Sequence, residues 1–379
     1  MMKQEIPMCL EKMPPRYPLD GTFELTVRCN LHCKMCLFRH DDCENSEITA
    51  NELTAEQWID MARQVAEAGT INLLITGGEP MLRPDFCEIW EGIYKQGFLI
   101  TLYTNATLVN PKIMETLHKY PPHKIGVTIY GASPETYEKV CGNADAFQLT
   151  LNGLKLLRQL PSVIDIRTTL IKDNVNDIQK IEELINQELG HKVNIVHSNN
   201  VICAVRGGCA QVNDVRLSAE ESMHLPIRRT CDAIQKFTAD SGLPEMQLAL
   251  RIDDRKSEDL SHNSKLTLIG CEGGMTSYTI SWDGKLIACQ LFDLFNTSPI
   301  KNGFSKAWLT FPYAVRLPLY SECDSCKLRD ECSTCYAVQY AETGTLTNCS
   351  SYHKAIAQIT KQYRKETYYY ESTRKCDHI

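Results

Sequence analysis

The chain has 379 residues, more than a single hydrophobic core usually fills, which predicts a main domain with an appendage. Apolar residues make up 43% and charged residues 23%, a globular balance, and a net charge of −7 argues against a dominant nucleic-acid role, which would show a basic face. No apolar run approaches the roughly 18 residues that span a bilayer, and Met1 to Asp20, with three prolines between Pro14 and Pro18, lacks the apolar stretch of a signal peptide; a cytoplasmic protein that engages neither membrane nor nucleic acid is expected.

In chain order, a strand is predicted at Phe23–Val27. A helix at Leu53–Ala68 follows, with Trp58, Met61, Ala62 and Val65 on one side. Ile71–Thr76 is a buried-looking strand, and a helix from about Asp85 to Gln96 stops at Gly97. Phe98–Tyr103 is the next strand, Pro111–Lys119 a helix and Lys124–Tyr130 a strand. Ser133-Pro134-Glu135 opens a helical region, with Pro tolerated in the first turn. Phe147–Leu160 completes that crossover, then strand Ile164–Ile171, helix Asn174–Leu189 and a sixth strand at Lys192–His197. Six strands alternating with helices demand an α/β fold with a parallel sheet and right-handed crossovers, a partial (β/α)6 TIM-type barrel or a doubly wound sheet, and ligands gather at the C-terminal strand ends of either. After about Val201 the pattern weakens. Ser218 can cap a helix to about Ser241, with Glu220 and Glu221 in its first turn. The expected organisation is an N-terminal extension at 1–20, the barrel at 21–217, a bridging region at 218–265, a Cys-rich domain at 266–355 and a C-terminal helix and tail at 356–379, with no internal repeat.

The count of 18 cysteines is unusual. In a large chain with no export signal, clustered thiols more often hold metal than form disulfides. Directly after the first strand comes Cys29-Asn-Leu-His-Cys33-Lys-Met-Cys36, a CxxxCxxC spacing. Three thiolates on a short loop wrap one side of an iron–sulfur cubane and leave one iron without a nearby protein ligand. The competing reading is a zinc site, although zinc motifs more often pair two CxxC units. Cys43 stands outside the spacing.

Cys29, Cys33 and Cys36 match the signature of the radical S-adenosylmethionine (SAM) superfamily, and Gly77-Gly78-Glu79-Pro80, ending the second strand, resembles that family's GGEP motif. The resemblance implies a four-iron cluster that binds SAM and cleaves it reductively to methionine and a 5′-deoxyadenosyl radical. It also implies contact of Gly77, Gly78, Glu79 and Pro80 with the methionyl amino group. Thr104-Asn105 and Thr128 resemble positions that touch the SAM ribose or carboxylate; each is equally readable as polar strand-end packing. Where the family often has an aromatic residue before the third cysteine, this chain has Met35, and Phe38 is an alternative adenine contact.

Further on, Cys271, Gly284, Cys289, Cys323-x2-Cys326-x5-Cys332-x2-Cys335 and Cys349 resemble the SPASM domain, an extension that holds two auxiliary four-iron clusters. One departure is the gap of two residues between Cys332 and Cys335, where three are typical. The resemblance implies that Cys271, Cys289 and Cys335 hold the first auxiliary cluster, and Cys323, Cys326, Cys332 and Cys349 the second. A zinc ribbon of Cys323, Cys326, Cys332 and Cys335 is the bland alternative. The first auxiliary cluster has no obvious fourth ligand; Cys203, Cys209 and Cys231 are distant candidates and His262 a nearer one, and an open iron able to take a substrate group is expected. Cys9, Cys87 and Cys141 read as buried small hydrophobes.

Enzymes resembling this whole layout mostly modify ribosomally made peptides by thioether or carbon–carbon crosslinks; others mature sulfatases or oxidise small molecules. The aspartate that serves sulfatase maturases as a base is replaced by Gln290, which does not take a proton at neutral pH, leaving Asp293 as the nearby candidate base. Oxidation of a precursor peptide is therefore expected, with sulfatase maturation or small-molecule dehydrogenation as alternatives. With about twenty residues ahead of the first strand, a separate leader-binding protein or direct recognition by the barrel is expected, together with a flavodoxin- or ferredoxin-type electron donor.

Overall fold

The computed structural model describes residues 15–37, 49–190, 193–198, 201, 206, 212–223, 271–318, 321–332 and 334–370. The chain divides into two compact units, one of Met1–Arg216 with Leu266–Leu317 and one of Leu217–Lys265 with Pro318–Ile379.

The first unit is built on strands β1 (Asp20–Glu24), β2 (Asn72–Thr76), β3 (Leu99–Thr104), β4 (Lys124–Thr128), β5 (Val163–Thr169), β6 (Asn194–Ser198), β7 (Ser277–Ile280) and β8 (Leu286–Ile287). Helices α1 (Ala55–Glu67), α2 (Phe86–Tyr94), α3 (Pro111–Lys119), α4 (Pro134–Cys141), α5 (Ala146–Leu157) and α6 (Ile178–Leu189) form the crossovers. All strands but the last run parallel, in the order β6-β5-β4-β3-β2-β1-β7-β8. The expected α/β architecture is present, with helix ends where the local chemistry puts them. Thr54 and Gln57 close a reciprocal capping box on α1, and Asn110 and Ser133 cap α3 and α4, each ahead of a Pro at the first turn. The positive-φ Gly142 ends α4.

Six strands were expected; among the described residues the sheet has eight, because the Cys-rich stretch supplies two. Strand β7 pairs in parallel with β1 from Asp20↔Ser277 to Phe23↔Ile280, satisfying the backbone groups β1 would otherwise present as an edge. Arg16 fastens this side, stacking 4.0 Å over the Trp308 ring and donating to the carbonyls of Gly274 and Trp308. After β6 comes the short helix α7 (Val212–Val215), and after β8 come α8 (Pro299–Asn302) and α9 (Phe304–Ala314). The core lies between the sheet and its helices, where Phe23 of β1 packs at 5.0 Å between ring centroids on Trp58 of α1, both fully buried.

In the second unit, residues 219–223 are helical behind a capping box in which Ser218 and Glu221 bond each other's backbone N–H; the remainder of the helix expected to reach Ser241 lies outside the described residues. Helices α10 (Tyr336–Thr343) and α11 (Ser351–Tyr370) follow, the latter beginning ahead of the C-terminal helix and tail expected at 356–379. No helix among the described residues is long and apolar enough to cross a membrane.

Replacing fully buried Trp58 by Ala removes the ring on which β1 and α1 meet. Urea denaturation should show a loss of about 3–5 kcal/mol, whereas a change near zero would place the core elsewhere.

Candidate active site and thiol clusters

The loop carrying Cys29, Cys33 and Cys36 leaves the C-terminal end of β1, and its path is set by backbone contacts. Beyond the β1–β2 ladder, Leu25 N–H donates to Thr76 O, Gly78 N–H to Thr26 O at 2.7 Å and Glu79 N–H to Arg28 O at 2.8 Å. A Cβ at Gly78 would lie 2.1 Å from Arg28 O, and one at Gly77 2.4 Å from Thr26 O. Both glycines are thus required for the close approach of two backbones immediately ahead of Cys29. On the far side, His32 N–H and Lys34 N–H donate to the carbonyls of Cys141 and Val140 at the end of α4. Arg28 and Arg83 converge on Glu52, at 2.7 and 3.5 Å, and Arg83 also donates to Leu25 O and Leu53 O.

Glu79 turns inward and is completely buried. Its carboxyl accepts from Thr104 Oγ1 (2.8 Å), Asn105 N–H (2.8 Å) and Met81 N–H (3.1 Å), tying the end of β2 to the end of β3. Burial pushes this carboxyl from its ordinary 4.5 up to about 7, against the pull of those three donors. Asn105 is held at every polar atom. Its backbone N–H goes to Glu79, its carbonyl accepts from Thr150, and its side-chain oxygen accepts from the N–H and hydroxyl of Thr107. That leaves its NH2 aimed at Asn30 Oδ1 (3.0 Å) and at the sulfur of Cys29 (3.8 Å). Thr128 ends β4, half-buried and paired with Arg167 of β5. Phe38 and Cys43 lie outside the described residues.

The three thiols sit against an apolar cluster that includes Leu31, Met35, Tyr130, Tyr137 and Cys141. The Cys33 thiol is held well above the ordinary thiol range, first by its hydrogen bond with Cys141, then by burial and the charges of Cys36 and Cys29, against a donating Tyr130 hydroxyl. Cys141 is lowered by the same bond. It is buried, as expected of a small hydrophobe, and it also touches the cluster loop, which its place in the sequence did not signal. Three thiols that feel one another's charge on one loop, with N–H and O–H donors behind them, are a donor set suited to a four-iron cluster. Among the described residues no group of three or more His, Cys, Asp or Glu converges as on a single metal ion.

A cavity of about 450 Å³ opens inside the strand ends. Its wall runs from Met35 and Leu37 of the cluster loop, past Thr22, Thr169 and Ser198, to Cys289 and Gln290 beyond β8. Met35 therefore packs in the core and lines the cavity at once. Asp293 is not among the lining residues; its carboxylate stands 3.8 Å from Arg206 Nε. Arg206 also pairs at 2.8 Å with Glu24, which is buried and two residues along β1 from cavity-lining Thr22. Burial alone would pull Arg206 down, but the charge and hydrogen bond of Glu24, with Asp293 and Asp283, hold it above its usual value.

Residues 23–185 match the model of the Radical SAM superfamily. The chain carries a radical SAM domain. It is 28% identical over 331 residues to the AdoMet-dependent heme synthase of Methanosarcina barkeri, covering 85% of this chain and 92% of that protein. The subtilosin biosynthesis protein AlbA of Bacillus subtilis is 28% identical over 176 residues, 46% of this chain and 38% of that one. Among solved structures, Streptococcus suis SuiB bound to S-adenosylmethionine superposes with a TM-score of 0.63 at 17% identity, covering 91% of this chain and 79% of that one. SuiB with its precursor peptide SuiA gives the same score at 15% identity, covering 90% and 76%.

In the second unit, Cys323, Cys326, Cys332 and Cys349 lie near enough to feel one another's charge without converging as on a single metal ion. The Cys349 thiol is raised by burial and then by the charges of Cys323, Cys332 and Cys326. Leu328 N–H donates to Cys326 Sγ at 3.4 Å, and in the first unit Gly273 N–H donates to Cys271 Sγ at the same distance. Such N–H···S bonds suit thiolate ligands. Cys289 is half-buried and Cys271 exposed in the first unit, and Cys335 belongs to the second. The suggested fourth ligands Cys203, Cys209, Cys231 and His262 lie outside the described residues. Sequence reasoning missed Glu24 and Arg206, isolated polar residues brought together only by the fold, and Arg83, which pairs locally with Asp85 but reaches Glu52 and the Leu25 and Leu53 carbonyls only in the folded chain.

Two outcomes follow for the radical SAM domain. Gly78→Ala forces Cβ against backbone, so reconstituted protein should lose iron from the Cys29/Cys33/Cys36 site and about 1–3 kcal/mol of stability; unchanged iron would overturn the assigned role. Between 4.5 and about 7 the folded chain binds more protons at Glu79 than the unfolded chain does. That contribution is whole below the lower value and is lost as pH rises through the upper. Urea midpoints of the cluster-free chain from ~pH 5 to ~pH 8 should show this decline flattened in Glu79→Gln, and an equal slope in both proteins would contradict it.

Proposed function

We propose that the enzyme oxidises a side chain of a ribosomally made peptide held in the barrel cavity, forming a thioether or carbon–carbon crosslink or a double bond. The supporting observation is the cavity wall, which joins the loop of Cys29, Cys33 and Cys36 to Cys289 and contains no lysine or arginine among its lining residues. An uncharged, partly apolar wall of this size suits a neutral peptide side chain.

In this reading Cys29, Cys33 and Cys36 hold a four-iron cluster; with SAM bound, that site supplies reductive cleavage of SAM and removal of a hydrogen atom from substrate. Backbone groups of Gly77 to Pro80, with Asn105 and Thr128, face the SAM site. Glu79 works through position: its carboxyl is spent on Thr104, Asn105 and Met81 and holds the strand ends together. Leu37 and Met35 shield the reacting region from water. Cys323, Cys326, Cys332 and Cys349 hold an auxiliary cluster, which accepts the electron released on oxidation. A flavodoxin- or ferredoxin-type donor supplies the first electron, and a separate leader-binding protein or the barrel itself engages the precursor.

A second reading, oxidation of an iron tetrapyrrole, is favoured by the heme synthase relative, which aligns over 85% of this chain. Sulfatase maturation is disfavoured, since Gln290 lines the cavity where a base is needed and Asp293 stands beside the Arg206 guanidinium.

Anaerobic protein with reductant and SAM should yield 5′-deoxyadenosine, and replacing Cys29, Cys33 and Cys36 together by Ala should abolish it. A candidate precursor peptide should lose two hydrogens by mass spectrometry. An unaltered peptide, with an iron tetrapyrrole converted to heme, would transfer the assignment to the second reading.

A further inference from the structure

Apart from the cavity, one buried side chain in the second unit has hydrogen bonds that do not close. Gln339 lies in α10 and is 2% exposed. Its backbone N–H donates to Cys335 O, which sets it one turn into the helix. Cys323, carrying its thiol proton, donates to Gln339 Oε1 at 3.8 Å, while Gln339 Nε2 is buried without a partner. An orphaned buried NH2 costs about 1–3 kcal/mol.

The mismatch depends on the proton that sits on Cys323. As a thiol, Cys323 is a donor and draws the amide oxygen toward itself. As a metal-bound thiolate it has no proton to give and only accepts. A half-turn of the carboxamide then exchanges its two ends, bringing Nε2 to the sulfur at the distance now spanned by the oxygen. The orphan donor gains its partner, and the carbonyl left behind is the group that buried sites tolerate unpaired more readily. Cys323 is not an isolated thiol: it is raised by burial and also feels the charges of Cys332 and Cys326, and Cys349 feels all three.

We infer that Gln339 is a positioning residue for a metal centre in the second unit, donating its side-chain NH2 to the Cys323 thiolate and raising the reduction potential of that centre. The inference rests on Cys323, Cys326, Cys332 and Cys349 forming an auxiliary iron–sulfur site. The N–H dipole presents its positive end to a sulfur that becomes more negative on reduction, so the reduced state gains more from the bond than the oxidised state.

The test uses the full chain, reconstituted anaerobically with iron and sulfide and titrated potentiometrically by electron paramagnetic resonance. The signal removed in Cys323→Ala identifies the centre. In Gln339→Leu that signal should shift to lower potential with iron content kept, on the order of tenfold less reduced at a fixed potential, about 59 mV for one electron. Gln339→Glu lacks the NH2 and adds negative charge, so it should shift at least as far, and it carries the measurement if the leucine variant fails to fold. An unmoved midpoint in a variant that keeps its iron defeats the inference while leaving the cluster reading intact. Equal iron in Cys323→Ala and the unaltered chain defeats the cluster reading, and the inference with it.

Discussion

Everything at the reactive end depends on two backbones pressed together without side chains between them, Gly77 to Glu79 against Thr26 to Arg28. The ladder of β1 and β2 runs from Asp20↔Asn72 to Glu24↔Thr76 and is prolonged by the bonds of Leu25, Gly78 and Glu79. Because these are main-chain bonds, the direction of the cysteine loop is established by the sheet before any iron binds. The same approach turns Glu79 into the interior, where Thr104 and the Asn105 N–H bond it and the end of β3 is locked beside the end of β2. A motif that resembles a cofactor contact is thus first a device for bringing the cluster loop close.

Around the thiols, ionisation is opposed at Cys33 by its hydrogen bond with Cys141, then by burial and like charge, and at Cys349 by burial and like charge. Metal binding must expel those protons, so metal affinity at these sites rises with pH. The fold supplies compensation through neutral donors: the Asn105 amide at Cys29, a Tyr130 hydroxyl at Cys33, and backbone N–H groups at Cys271 and Cys326. Carboxamides have a particular advantage beside a ligand sulfur, since one group offers an acceptor to the thiol and a donor to the thiolate.

The parallel sheet has two ends, β6 and β8, and the cavity lies within its strand ends. Arg206 follows β6, Glu24 belongs to β1, and Gln290, whose carbonyl also accepts from Arg206 at 3.3 Å, follows β8. One guanidinium therefore links segments from both ends of the sheet to a strand between them. Buried pairs of this kind add little net stability but are costly to break singly.

Periodicity made most of this architecture legible. The six expected strands and their crossovers are present with ends shifted by a few residues, and α3 begins and ends as read, because Asn110-Pro111 and the apolar spacing of Ile113, Met114 and Leu117 leave little choice. The thiol motifs were legible for a related reason: loop ligands lie close along the chain, so their spacing is local chemistry. What sequence could not reveal was long-range. That β7 completes the edge of β1, that Cys141 meets Cys33, and that Glu24 meets Arg206 all join residues far apart in the chain. By itself the sequence determined the repeating strand–helix order and the three-thiol loop, both written in short-range patterns of apolar, cysteine and glycine residues. Only the tertiary structure decided which distant groups bury the first thiol loop and turn Asn105 toward Cys29 and Tyr130 toward Cys33, because burial and long-range hydrogen-bond partnership belong to the packed chain and not to any segment of it.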